Sequence, residues 1–229
     1  MNEELQQPFT EEEITTTLSH MCPTKAPRPD GLPAVFFQKH WEIVCEGVIT
    51  TCLHVLNKKC IITPLNHTYI SLIPKVEKPR TVTEYIPISL CNVIYRTVAK
   101  TITNKLKQLL PTIISFTQSA FIPNRHITDN VIIGYECLHK ICHSKWKKNG
   151  LVALKLDINK AYDRVEWYFV KATMLRLGFF SCWFELIMRC IITISFSVLF
   201  KRLQKGWYGL KEDLDKDARH LYIFFYFLC

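Results

Sequence analysis

The chain has 229 residues, of which 48% are apolar and 12% aromatic, and it carries a formal net charge of +9. That length holds one large domain or two small ones sharing a core, and that composition excludes global disorder. The positive balance suits a polyanionic partner, although it serves solubility equally well. FTEEEITTTLSHM opens with Thr10, and Glu13 three residues on completes a capping-box pattern, so a short helix to about Met21 is expected. KAPRPDGLP, 25–33, is a loop by its prolines and Gly31. Phe37, Trp41, Val44, Val48 and Cys52 recur at helical spacing and predict one long amphipathic helix over 33–57, its stripe facing a core.

From residue 65 the period changes. Tyr69, Ser71, Ile73 and Lys75 alternate with Thr68, Ile70, Leu72 and Pro74, so 65–90 predicts a strand, a basic turn and a second extended segment. Ile94, Val98, Ile102, Leu106 and Leu109 predict a helix that stops at Pro111. The stretch 114–130 is polar and irregular. Val131, Tyr135, Leu138 and Cys142 mark another helix running into KWKKNG, with cations where the helix dipole favours them and Gly150 just beyond. LVALKL, 151–156, is expected to be a strand. Val165, Tyr168, Phe169, Ala172 and Leu175 give a helix ending at Gly178, and helix resumes from Phe184 to about Cys190. TISFSVLF then alternates like a strand, and the tail from Leu203 is charged first and apolar afterwards. Helices and strands alternate with hairpin-like links, which points to the α+β class, a layered sheet with packed helices.

None of the ten cysteines forms a CxxC pair, and no Cys/His spacing reads as a zinc site. MNEELQQPFT has no apolar run of the signal-peptide kind, so buried reduced thiols in an intracellular, non-secreted protein (nucleus or cytoplasm) are expected. The longest apolar runs, such as LYIFFYFLC at 221–229, are too short to span a bilayer, and no membrane contact is expected. Seven glycines leave no glycine-rich phosphate loop.

The stretch LVALKLDINKAYDRVEW, 151–167, carries the chemistry. Asp157 closes an apolar run and is followed by Lys160, Tyr162 and Asp163. A carboxylate at a strand end is able to hold a hard cation such as Mg²⁺, which needs only one or two aspartates beside substrate phosphates and water. An aspartate there equally serves as a turn former or helix cap.

LDINKAYDRVEW resembles the first catalytic motif of reverse transcriptases, in the form carried by non-LTR (LINE-type) retrotransposons of plants. KAPRPDGLPAVFFQKHW is similar to the family's upstream block, LNHTYISLIPKVEKPRTVTEYIPISLCNVIYRTVAK to its fingers motifs, and QSAFIPNRHITDNVIIGYECLH to its next block. The four blocks stand in family order along nearly the whole chain. The resemblance implies a right-hand polymerase, with fingers, part of a palm and an incomplete antiparallel sheet. It implies a helical extension over 1–64 leading into fingers at 65–150, then a partial palm over 151–229. It implies a catalytic, metal-binding role for Asp157, with the Ile158 carbonyl near the same Mg²⁺. Tyr162 would lie under the incoming sugar and exclude a 2′-hydroxyl, the group that separates RNA from DNA building blocks. Lys75 would reach the nucleotide triphosphate. Gln118 and Arg125 would lie along the template and the nucleotide pocket, Gln118 towards the template and Arg125 towards the nucleotide. The implied partners are an RNA template, a DNA primer and deoxynucleotides. Asp163 belongs to the motif but reads as a cap or ion-pair partner on the new helix.

The departures are specific. The family's RPIS reads IPIS here, so Ile86 replaces an arginine and its rigid phosphate donors. Arg28 replaces the glycine of KAPGPDG. Where the family has a block like RGLRQGDPLSP, this chain has WYGLKEDLDKDARHLYIF. No Asp-Asp dipeptide occurs, and Asp213, Asp215 and Asp217 in their charged run do not restore one. The expectation is a reverse-transcriptase fragment truncated within the palm that makes no cDNA by itself. The alternatives are a non-catalytic nucleic-acid-binding remnant or a pseudogene product without a selected role.

Overall fold

The structure is a computed structural model that describes residues 2–24, 30–58, 63–120, 122–143, 152–156, 165–200 and 203–209. Described residues of Met1–Thr103 and Tyr162–Cys229 form one compact unit, and those of Asn104–Ala161 form a second.

The first unit opens with α1 (Asn2–Gln6) and α2 (Glu11–Ser19). The capping box is present: Glu13 N–H donates to Thr10 Oγ1 at 3.3 Å, and Thr10 N–H donates to Glu13 Oε2 at 2.8 Å. Two of the orphan donors of the first turn are thereby satisfied. The far end of α2 is closed from a distance, because Gln38 Nε2 donates to the Leu18 and Met21 carbonyls at 2.9 Å each.

The single helix predicted over 33–57 is two, α3 (Ala34–Lys39) and α4 (Trp41–Asn57). His40 separates them with ψ 27, although its N–H still reaches Phe36 O and its carbonyl still accepts from Val44 N–H. The interruption is thus a one-residue kink, and the apolar stripe survives it: Phe37, Val48 and Cys52 are buried. At the end of α4, Asn57 bonds both the N–H and the carbonyl of Phe9 at 2.9 Å, pairing with that backbone as a neighbouring strand would.

A 3₁₀ turn (Thr63–Leu65) leads into β1 (His67–Pro74), which pairs antiparallel with β2 (Tyr85–Cys91), Ile73 opposite Ile86. Helix α5 (Val93–Lys107) follows and supplies much of the core, with Val93, Tyr95, Val98, Ala99 and Ile102 buried. Thr97, Thr101 and Thr103 are buried on it too, each turning its hydroxyl onto the carbonyl four residues back. Later in the chain come α8 (Trp167–Arg176) and α9 (Ser181–Ile192), then β3 (Ser195–Phe200) and β4 (Leu203–Gly209). Gly178, at φ 84, ends α8 as predicted: Gly178 N–H bonds Leu175 O and Phe179 N–H bonds Met174 O, both at 3.0 Å.

The four strands make one sheet in the order β2-β1-β3-β4. The class is α+β, as expected, but the sheet is mixed and not antiparallel throughout, because β1 and β3 run parallel. The reason is connectivity. Only a tight hairpin forces antiparallel pairing, and more than a hundred residues separate β1 from β3, room enough for the crossover a parallel pair requires. The charged start of the tail, for which no element was predicted, forms the strand β4.

Asn66 joins the start of β1 to the end of α9. Its Nδ2 donates to Cys190 O at 2.9 Å and to Thr193 Oγ1 at 2.8 Å, while its carbonyl accepts Ser195 N–H at 3.1 Å. Tyr95 OH donates to the same Cys190 carbonyl at 2.8 Å. Burial pushes the thiols of Cys52 and Cys190 up to about 12, so both behave as small apolar groups and not as nucleophiles. The expectation of buried thiols thus holds for Cys52, Cys91 and Cys190, whereas Cys22, Cys137, Cys142 and Cys182 are exposed.

In the second unit, α6 (Leu110–Ile113) begins where the sequence predicted a stop, with Pro111 in its first turn, where a missing N–H is harmless. Helix α7 (Ile127–His143) carries the predicted stripe, yet Val131, Tyr135 and Leu138 on it are exposed. Residues 152–156 are not a strand: they have no ladder partner among the described residues, and Val152, Leu154 and Leu156 are 87%, 78% and 80% exposed. An apolar run alone does not make a strand, since a strand needs a neighbour to bond to.

Candidate nucleotide-binding site

Lys75 is the first residue of the turn between β1 and β2. Its N–H donates to Glu84 O at 2.7 Å, adding one more rung to the hairpin ladder, and its Nζ donates to Thr83 O at 3.0 Å. The turn is closed by a second capping box. The Glu84 carboxylate accepts from the N–H groups of Arg80 and Thr81, which holds its pKa below the ordinary value. Sequence reading overlooked this box, although Thr81 and Glu84 show the pattern openly. Lys75, Lys78 and Arg80 all stand exposed on the turn, a local cationic tip. Two residues back, Ile73 and Ile86 face each other, 44% and 43% exposed. An arginine at 86 would add a planar guanidinium beside the Lys75 ammonium. Isoleucine instead completes an apolar cross-strand pair.

His67, at the base of the same strand, was also missed. Its Nδ1 lies 2.9 Å from Ser195 Oγ and its Nε2 3.2 Å from Ser197 Oγ, so the imidazole bridges successive inward residues of β3. Burial lowers its pKa, favouring the neutral ring. This seam fixes the parallel β1–β3 register beneath the lysine turn.

In the second unit the structure brings Gln118 and Arg125 together. The guanidinium of Arg125 donates through Nη1 to Ser115 O and, at 2.7 Å, to Gln118 O. Through Nη2 it donates to Ile114 O at 3.2 Å and Pro111 O at 3.3 Å. These carbonyls lie at the end of α6 and in the turn after it, where a cation is favoured. Asn124 beside it takes φ 62, a left-handed turn that asparagine tolerates. Arg125 therefore clamps the loop that displays the exposed Gln118 side chain. Arg125→Ala is expected to remove the clamp at a local cost of about 1–3 kcal/mol, because several carbonyls lose a charged donor together. Amide exchange across residues 114–118 should then rise, while exchange in α5 stays unchanged.

Asp157, Ile158 and Tyr162 lie outside the described residues, as do Lys160, Asp163 and Arg28. Asp157 offers the hard oxygen donor that Mg²⁺ takes, but it is one carboxylate. Among the described residues no group of three or more His, Cys, Asp or Glu stands where it could hold an ion.

The pattern of the family "Reverse transcriptase (RNA-dependent DNA polymerase)" matches residues 73–210, more than half of the chain. The chain belongs to the reverse transcriptase family. The matched stretch of this reverse-transcriptase chain contains Lys75, Gln118, Arg125, Asp157, Ile158 and Tyr162. It begins after most of β1, so the upstream block at 25–41 lies outside it. The chain is also 31% identical over 177 residues to the "Transposon TX1 uncharacterized 149 kDa protein" of Xenopus laevis. That alignment covers 77% of this reverse-transcriptase chain and 13% of the frog protein, so the chain spans a small part of the curated relative it matches. No helix among the described residues is long and apolar enough to cross a membrane.

Proposed function

We propose that the chain is part of the reverse-transcriptase domain of a non-LTR retrotransposon, of the plant form that its motif strings resemble. It would contribute fingers (65–150) and part of a palm (151–229) of a right-hand polymerase to DNA synthesis on an RNA template inside the cell. The observation that carries this reading is the family match over 73–210, which holds every proposed nucleotide and metal residue in order. The transposon relative supports the retrotransposon context.

In this reading the Lys75 ammonium, at the tip of a hairpin stiffened by the Thr81–Glu84 box, exchanges the Thr83 carbonyl for a triphosphate oxygen. That exchange replaces a neutral acceptor with a charged one, which is the stronger bond. Arg125 orders the loop that presents Gln118 towards the template. Tyr162 closes the floor of the sugar pocket against a 2′-hydroxyl, and Asp157 with the Ile158 carbonyl offers oxygen ligands to a metal. Mg²⁺, when bound, would neutralise phosphate charge there.

A second reading, nucleic-acid binding without catalysis, is favoured by one observation: Lys75, Lys78 and Arg80 stand exposed together on one turn. Both readings require phosphate contacts, and a salt titration of binding to an RNA–DNA primer-template tests them. Several contacts give a steep linear fall of log K with log salt, about 0.7–0.9 per phosphate neutralised. Lys75→Ala should flatten that slope by about one contact. Absence of binding at low salt would refute both readings.

A further inference from the structure

We propose a transition-metal site on α7, formed by His139 and His143, that takes a borderline divalent ion of the Zn²⁺, Ni²⁺ or Cu²⁺ class. It is separate from any Mg²⁺ chemistry of the polymerase, because imidazole suits these ions and Mg²⁺ wants oxygen.

The two histidines stand four residues apart, one above the other on the same helical face, and both are exposed. Their rings are stacked with centroids 4.1 Å apart and planes 25° from parallel. His143 Nδ1 lies 2.9 Å from the carbonyl oxygen of His139. A carbonyl only accepts, so Nδ1 carries the proton, and the neutral ring of His143 keeps its lone pair on Nε2. A backbone carbonyl holding the other ring nitrogen is the arrangement that fixes tautomer and ring plane in metal-binding histidines. Tyr135, one turn earlier, stacks on His139 at 6.4 Å and 27°, which narrows the orientations open to that ring.

Tetrahedral Zn²⁺ with bonds of about 2.0–2.1 Å separates two ligand nitrogens by about 3.3 Å. The ring centroids stand somewhat farther apart than that. Rotation of the His139 ring about χ2, a broad torsion for histidine, turns a nitrogen towards Nε2 of His143, whose ring the carbonyl holds. The site lies in the last turn of α7, where the helix dipole favours positive charge. Water fills the remaining positions, since no third His, Cys, Asp or Glu among the described residues completes the set.

The test is titration of the full 229-residue chain with Zn²⁺ alone, thiols kept reduced, by calorimetry, with amide exchange of α7 read in parallel. The chain, His139→Ala, His143→Ala, the double variant and Cys142→Ser are compared. The expected result is a binding event weakened at least about tenfold by either histidine change and kept by Cys142→Ser, since each ligand contributes a bond and a fixed ring. Metal should also slow exchange in the turn 139–143 of the unsubstituted chain and leave the double variant unaffected. Both histidines are exposed, so their loss does not threaten the fold, and far-UV circular dichroism verifies that. Equal binding by the chain and the double variant would overturn the proposal. Equal loss in Cys142→Ser would overturn it in favour of a thiol site.

Discussion

Tyr95→Ala is expected to destabilise the sheet-bearing unit by about 3–5 kcal/mol, the range for deleting a buried aromatic ring. Tyr95 has no exposed surface, and it is the largest of the fully buried side chains among the described residues. Its ring is buried on the core-facing side of α5, and its hydroxyl ties that helix to the last turn of α9 through the Cys190 carbonyl. Tyr95→Phe isolates the second part. It should cost only about 1 kcal/mol, because Cys190 O still accepts from Asn66 Nδ2 and is not orphaned. Asn66→Ala combined with Tyr95→Phe removes both donors from that carbonyl, so the double variant should fall further than the sum of the single changes. Urea unfolding followed by circular dichroism measures all four. A loss under about 1 kcal/mol for Tyr95→Ala would show that α5 is not the core element its burial indicates.

Local signals were legible in the sequence, and contacts between distant segments were not. The Thr10–Glu13 box and the Gly178 stop depend on neighbours within five residues, and both stand where the sequence put them. The hairpin 67–91 was legible because alternation and a basic turn lie side by side. Residues 152–156 form an apolar run that reads as a strand as readily as β1 does. What separates them is a partner strand, which the local sequence does not encode. β4 was missed for the opposite reason: Leu203–Gly209 is polar with two glycines, and its register against β3 makes it a strand. The stripe on α7 showed a helix with an apolar face but not what covers that face. Among site residues, Arg125 shows the limit of chemistry read from a motif. A guanidinium fits phosphate oxygens and helix-end carbonyls equally well, and only coordinates show it on carbonyls. Lys75 was simpler, because a lysine at a hairpin turn has few places to go but outward.

Primer extension by the 229-residue chain, with Mg²⁺, an RNA template, a DNA primer and deoxynucleotides, is expected to stay at the level of its Asp157→Asn variant, with no cDNA above background. The argument is electrostatic. Phosphoryl transfer in this class uses two divalent ions about 4 Å apart. At an effective dielectric near 20 their mutual repulsion is about 17 kcal/mol, which several carboxylates must offset. The sequence offers Asp157 in the first motif and no Asp-Asp dipeptide elsewhere, and Asp213, Asp215 and Asp217 alternate with other residues in a charged run. One carboxylate compensates too little of that repulsion to keep both ions in register, and the preorganised charge that dominates such rate enhancements is then missing. Supplying a segment with tyrosine and paired aspartates, fused or in trans, should restore extension that Asp157→Asn abolishes. Extension by the unaided chain that disappears in Asp157→Asn would refute the charge argument and show that one aspartate suffices. Extension that persists in the variant would remove Asp157 from the chemistry altogether.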